Sequence, residues 1–219
     1  MSDHFKLADA EYRRDTSGSV HQVNPKPYAY DRDYIDRTYG SIPVNRLNET
    51  AFLRLGVLLA RCPKPEHLLD WGYGSGAFLR AAATIPGCTV HGYDINGVPP
   101  PYPVSFCPDP MASKWSAVTF YDVLEHIADL SFLRHLRASM IVVTVPHCHV
   151  NRMGWEWFAG WKHRKPDEHV HHWDGPALVA TLGGLGWSAL QVSNPEDCTR
   201  RGEDSPNILT VVAHRKNEV

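Results

Sequence analysis

Two short stretches carry residue types that could do chemistry. The first is LLDWGYGSGAFL, Leu68 to Leu79, where Gly72, Gly74 and Gly76 alternate after an acid, Asp70. Glycine enters positive-φ turns at little steric cost and leaves no Cβ between backbone and ligand. At a strand-to-helix turn it also opens the free N–H groups of the helix start to a bound group. The second is YDVLEHI, Tyr121 to Ile127, which sets Asp122, Glu125 and His126 within one turn of chain. A histidine there is a proton acceptor near neutral pH, and a neighbouring carboxylate can share acid–base work or ligate a metal. Between them stands Asp94, 24 residues after Asp70. An acid so placed can accept hydrogen bonds from both hydroxyls of a ribose.

A third concentration is less sharply patterned. The chain has 13 histidines, and eight of them fall in the span from His126 to His172. In WKHRKPDEHVHHWD, His169 and His171 alternate and in extended chain would face the same side. His163, Asp167, Glu168 and His172 are further candidates, with His169 taken as the substrate-contacting one. PHCH (His147, Cys148, His149) matches no zinc-ligand spacing. Trp155, Trp157, Phe158 and Trp161 either line an acceptor pocket or pack this segment onto the sheet. Lys162, Arg164 and Lys165 suit a phosphate or carboxylate, or form a solvated run.

These residues need a scaffold, and the hydrophobic pattern supplies one. Apolar runs at HLLDW, CTVHGYDIN, PVSFC, SAVTFY and SMIVVTVP read as strands, separated by helix-like AFLRAAATI and LSFLRHLRA. GPALVATLGGLG reads as a last helix, followed by strands WSALQVS and ILTVVAHR with no helix between them. Alternating strands and helices predict an α/β fold with a single doubly wound, Rossmann-like sheet, mostly parallel, ending in an antiparallel hairpin. Upstream, RLNETAFLRLGVLLARC has helical spacing, with Asn48 or Thr50 as caps, and Tyr30 and Tyr34 share an i, i+4 face. Residues 1–27 are polar and aperiodic and read as a flexible or loosely docked arm. The expected division is an N-terminal arm and cap over 1–49 and one domain over 50–219, with a His/Trp-rich lid insertion at about 147–174.

The spacing Asp70-x-GxGxG resembles the first motif of class I S-adenosylmethionine-dependent methyltransferases, and differs from the GxGxxG of dinucleotide sites. The resemblance spans roughly residues 50 to 214 and includes the DVLEH-type fourth-strand motif and the terminal hairpin. It implies that S-adenosylmethionine is the cofactor and S-adenosylhomocysteine its product. Asp70, Gly72, Tyr73, Gly74 and Gly76 would hold the methionine portion, Asp94 and Ile95 the ribose side, and Asp122 and Val123 the rim. Phe106, Cys107 and Asp109 fall near the family's adenine-side position. The fourth strand lacks the (N/D)PP(Y/F) of exocyclic-amine enzymes and the Pro–Cys of cytosine C5 enzymes, which points to an oxygen acceptor. His126 is then a general base, with Glu125 and His169 beside it. The alternative is a divalent cation on Asp122, Glu125 and His126. Small-RNA 3′-end methyltransferases carry ExxEH there, and the shorter Asp122 leads to the expectation of no metal.

Composition bounds the rest. Net charge is -2 with 22 basic and 24 acidic residues, so no excess positive charge advertises duplex nucleic acid. Five cysteines without CxxC spacing, no leader-like apolar start and no membrane-length apolar run predict a reduced cytoplasmic setting. The expected acceptor is a small molecule, a sugar or a nucleotide-linked group, with oligomeric state open. Three other readings remain: a methyltransferase acting on an RNA end or a modified base, an NAD-dependent oxidoreductase, and a non-catalytic cofactor-binding scaffold.

Overall fold

The structure is a computed structural model and describes residues 3–200 and 205–216. Its first elements depart from the expected arm. Strands β1 (Asp3–Lys6), β2 (Glu11–Arg14) and β3 (Val20–Val23) form an antiparallel meander. Polar strands of four residues carry too little alternation to show in sequence. What holds them is one inward face: Tyr12 and Val20 are fully buried against the segment that follows the large sheet.

Helix α1 (Arg32–Tyr39) begins at Asp31, whose carboxylate accepts the Tyr34 N–H at 2.9 Å. Tyr30 therefore lies before the helix, not on its face, although its ring still meets that of Tyr34 at 5.2 Å. Helix α2 (Val44–Leu59) starts directly after Pro43, so Asn48 and Thr50 are interior residues and not caps. Pro43 presets the backbone for a helix start.

The large sheet then builds as expected. Strand β4 (His67–Trp71) leads through the glycine loop to α3 (Ala77–Ala82), followed by β5 (Thr89–Tyr93) and the two-residue β6 (Ser105–Phe106). Strands β7 (Trp115–Tyr121) and β8 (Ala138–Pro146) complete the parallel part. Next come α4 (Val150–Gly160), kinked at Gly154, then β9 (His171–His172) and α5 (Gly175–Gly184). The antiparallel strands β10 (Trp187–Ser193) and β11 (Ile208–Arg215) finish the fold. The seven-stranded order is β10-β11-β8-β7-β4-β5-β6, and β9 joins β3 to make a second, four-stranded sheet. Residues 201–204, in the charged loop between the last two strands, lie outside the described residues.

One expected helix is absent. LSFLRHLRA gives only a 3-10 turn at Ser131–Arg134. The carbonyls that a longer helix would use are taken by tertiary donors: Trp187 Nε1 and Arg215 both bond Leu133 O, and Arg215 also reaches Leu136 O. Helices α2 and α3 cover one face of the sheet with Leu58, Leu68 and Leu79 fully buried; α5 covers the other with Leu178 against Phe120 and Val143. Among the described residues, no helix is long and apolar enough to cross a membrane.

Candidate active site

At the carboxyl edge of the sheet the glycine loop turns with φ of +76° at Gly72, +49° at Gly74 and +70° at Gly76. The space a Cβ would need is filled mostly by protein. Val123 Cγ2 stands 2.5 Å from that point at Gly72, and Pro101 Cδ 2.9 Å from it at Gly76. The glycines thus let the loop after β7 close onto the loop after β4, beyond any room they leave for ligand. Asp94, at the end of β5, joins this packing: Oδ2 accepts from Gly74 N at 2.8 Å and Oδ1 from Asn96 N at 2.9 Å. Burial raises its pKa above the ordinary carboxylate value. Each oxygen keeps a further lone pair for a ligand hydroxyl.

These residues wall a crevice of about 440 Å³. Trp71, Tyr93, Ile95 and Phe132 line it, with Trp71 at 4.8–4.9 Å from the rings of Phe132 and Tyr93. Asn96 Nδ2 is buried there without a hydrogen-bond partner among the described residues. Flat apolar walls, a carboxylate and an unused amide donor make a site for a nucleoside.

A second cavity, about 620 Å³, adjoins it and contains Asp70, Tyr73, Glu125 and His169. The two share Tyr34, Tyr39, Gly72, Asp122 and His126, so they meet beside the fourth-strand motif. Asp70 is 2% exposed and accepts from Thr119 Oγ1 at 2.7 Å on the adjacent strand. Desolvation raises its pKa to about 7. Tyr73 turns inward, donating to Val98 O. Ile95 is 67% exposed at the rim of the crevice, and Val123 is buried over Gly72.

Asp122 occupies the left-handed region at φ 58°, which aspartate tolerates better than most residues. Its carboxylate is held by two cations, Arg54 at 2.8 Å and Arg200 at 2.8 Å. Those guanidiniums outweigh burial and bring its pKa to about 2. Both arginines also grip Glu196, whose side chain is 1% exposed. Nothing in the sequence announced this four-residue network, because its members are 4 to 146 positions apart.

The motif's other acid has the opposite environment. Glu125 is 1% exposed, and neither carboxylate oxygen has a partner among the described residues. Burial, with Asp122 nearby, pushes its pKa upward. His126 Nδ1 lies 2.8 Å from Glu168 O and 2.9 Å from Tyr30 Oη. A carbonyl only accepts, so Nδ1 carries the hydrogen and Nε2 of the neutral ring is bare. His169 repeats the arrangement with Nδ1 2.9 Å from His163 O, and the two rings are 4.6 Å apart, edge to face. Burial depresses both pKa values and keeps the rings neutral. The segment is sewn to the motif by Val170 N donating to Glu125 O at 2.7 Å.

The remaining candidates lie elsewhere. His171 turns away from His169, toward His21 Nδ1 at 2.7 Å and the Ile127 carbonyl at 3.0 Å. His172 packs among Tyr12, Phe158 and Trp161. Asp167 accepts from Gln22 and the Lys26 N–H. Trp155, Phe158 and Trp161 pack against the N-terminal sheet and line neither cavity, with Phe5 stacked on Trp155 at 4.8 Å. Arg164 is committed to Asp9 and Tyr12, while Lys162 and Lys165 line the second cavity. His147 and His149 bond Asn194 and Pro206 O. Asn96, Tyr34 and Tyr39 belong to the site but lacked a sequence signal beyond the clustering of tyrosines.

A family model described as a methyltransferase domain matches residues 45–192, about two thirds of the chain. The chain belongs to the methyltransferase-domain family. Its fold is that of class I S-adenosylmethionine-dependent methyltransferases. A 1,6-didemethyltoxoflavin-N1-methyltransferase from Burkholderia thailandensis, solved with 1,6-didemethyltoxoflavin and S-adenosylhomocysteine, is similar over 98% of this chain and 99% of its own, with TM-score 0.54 and 14% identity. A magnesium protoporphyrin IX methyltransferase from Synechocystis PCC 6803 with bound S-adenosylhomocysteine is similar over 78% and 84%, with TM-score 0.53 and 17% identity. An S-adenosylmethionine-dependent methyltransferase from Mesorhizobium loti is similar over 79% and 100%, with TM-score 0.54 and 17% identity. At such identities the likeness concerns the fold alone. No curated protein matches the chain. Membership of this family sets aside the oxidoreductase reading.

Proposed function

We propose that this methyltransferase transfers the methyl group of S-adenosylmethionine to a hydroxyl oxygen of a small-molecule acceptor. The observation that carries this reading is the bare His126 Nε2 where the two cavities meet. A neutral hydroxyl must lose its proton as its oxygen is methylated, and a buried neutral imidazole is suited to drawing that proton away. The bound donor supplies an electrophilic methyl on a sulfonium. Everything else is done by the chain. Asp94 and Asn96 receive the ribose, the aromatic walls take the base, and Asp70 with the glycine loop receives the amino-acid end. Asp122 is held by Arg54 and Arg200, so it orients the junction and leaves proton transfer to the Glu125–His126–His169 cluster. Burial raises the pKa values of Tyr30 and Tyr34, which remain hydroxyl donors that shape the junction and keep water out.

In this reading residues 1–49 act as arm and cap, and the segment 147–174 is the lid whose Glu168 and His169 reach the acceptor. The five unpaired cysteines suit a reduced, cytoplasmic compartment. Calorimetry with S-adenosylhomocysteine, S-adenosylmethionine and NAD tests the donor: the first two bind and NAD does not. Failure of both to bind sinks the reading. Transfer of labelled methyl to a panel of phenols, sugars and amines tests the acceptor, and transfer confined to amines removes the oxygen assignment.

A further inference from the structure

We propose that Glu125, His126 and His169 form a binding site for a divalent transition ion of the Mn2+, Fe2+, Co2+ or Zn2+ class. This departs from the metal-free expectation drawn from the sequence, and three observations support it.

The first is the state of Glu125. Three neighbouring acids have cationic partners: Asp122 has Arg54 and Arg200, Glu196 the same pair, and Glu168 has Lys165 at 2.9 Å. Glu125 has both oxygens buried without a partner among the described residues. A carboxylate in that position is strongly disfavoured unless a proton or a cation accompanies it.

The second is the imidazole arrangement. His126 and His169 each commit Nδ1–H to a backbone carbonyl, of Glu168 and His163 respectively. That fixes the tautomer with Nε2 bare, which is how metal-ligating histidines are oriented by their surroundings; Glu168 Oε1 stands 3.7 Å from His169 Nε2, beyond hydrogen-bond reach. Tyr30 Oη, also on His126 Nδ1, reinforces the same tautomer.

The third is distance. The donor atoms of the three side chains lie within 4.8 Å of one another. Tetrahedral donors on bonds of about 2.0–2.2 Å stand about 3.3–3.6 Å apart, so side-chain rotations that move the donor atoms by about an ångström close the set. Two imidazoles and one carboxylate favour a borderline transition ion over Mg2+ or Ca2+, and leave coordination positions open. Because all three residues line the second cavity, those positions are available to an acceptor. Asp122 takes no part, since its oxygens are occupied by guanidiniums. The use of the ion rests on the methyl-transfer reading above and changes one part of it: a His126 that ligates the ion no longer takes the proton, and the ion would instead hold the acceptor hydroxyl and lower its pKa, the proton leaving to water in the open cavity.

The test is made on full-length protein stripped with EDTA and titrated with Co2+ by absorbance and with Mn2+ by calorimetry. One saturable site of micromolar affinity is expected, with the bands of nitrogen and oxygen ligation. Glu125→Gln, His126→Ala and His169→Ala should each weaken it at least tenfold. No saturable binding to the unaltered protein overturns the proposal without recourse to any variant. So does unchanged affinity in folded Glu125→Gln, competition by Mg2+ at concentrations equal to Co2+, or a sulfur-to-cobalt charge-transfer band, which would put the ion at a cysteine. Asp94→Ala separates this site from the donor site, since it should lose S-adenosylhomocysteine and keep Co2+. In the unaltered protein, failure to bind the nucleoside with Co2+ bound counts against the donor reading alone, and the converse against the metal alone.

Discussion

The Tyr39 hydroxyl stands 2.7 Å from the point a Cβ would occupy on Gly74, with two further ring atoms at 3.0 and 3.1 Å. The last residue of α1 is therefore seated on the middle glycine of the loop, so α1 and the crevice wall are one packing unit. Burial holds the Tyr39 pKa up at about 12, and the phenol stays protonated. Gly74→Ala meets both a left-handed backbone and this ring. It should lower stability by about 1–3 kcal/mol and S-adenosylhomocysteine affinity at least tenfold. Combined with Tyr39→Leu, the penalty should be smaller than the sum of the two singles. Strict additivity in urea melts and calorimetry would show that the contact does not couple them.

Asp94 already holds the loop, its oxygens accepting from Gly74 N and Asn96 N, and in the proposed function it would also take the ribose. Asp94→Ala should weaken S-adenosylhomocysteine binding by about 1–3 kcal/mol, the penalty of leaving buried hydrogen-bonding groups unpaired. Asp94→Asn should lose less, since one oxygen remains to accept from the loop. Equal affinity for Asp94→Ala and the parent, measured by calorimetry, would remove Asp94 from the ribose site.

Asp70 makes the donor affinity depend on pH. Its pKa of about 7 in the free protein means that it is largely protonated at pH 6. A bound ammonium favours the carboxylate and so displaces that proton. Affinity for S-adenosylhomocysteine should rise between pH 5.5 and 7 and flatten above the pKa. Asp70→Asn should abolish the rise. A flat profile in the parent protein would mean that Asp70 does not face the amino group.

Arg54 joins the buried Glu196 to the half-buried Asp122, with Nε 2.7 Å from Glu196 and Nη2 2.8 Å from Asp122, while its guanidinium lies over the Tyr121 ring at 4.4 Å. Removing one partner of a buried ion pair strands the other, at a cost of about 3–5 kcal/mol. Arg54→Ala should approach that value in denaturant unfolding, and Arg54→Lys should recover only part, because an ammonium cannot reproduce the forked geometry. A loss under about 1 kcal/mol, the size of an exposed pair, would show that Arg200 alone sustains the network.

Much of the cofactor side was legible in the chain itself. Glycines at 72, 74 and 76 are local requirements of a turn with positive φ, and strand runs such as SMIVVTVP declare themselves through β-branching. These are short-range effects, and a linear sequence displays them. The acceptor side was not legible in the same way. Glu125, His126 and His169 were picked out as chemical types, but only folding showed that Asp122 is consumed by Arg54 and Arg200 while the Glu125 carboxylate has no partner among the described residues. His169 and His171, equivalent by alternation, separate because Val170 bonds Glu125 O and β9 bonds β3, which turns one ring into the site and the other toward His21.

The N-terminal meander was hidden for a related reason. Its strands are short and polar, and their stability comes from Tyr12, Val20, Phe158 and Trp161 meeting across more than a hundred residues of chain. Sequence alone determined the fold class, the nucleoside loop and the list of candidate groups, since each depends on neighbours in the chain. Which acid is neutralised, which histidine nitrogen is bare and where the two cavities meet depend on charges, carbonyls and rings brought together from distant elements. Electrostatic environment is a property of that three-dimensional neighbourhood, so only the tertiary structure could decide it.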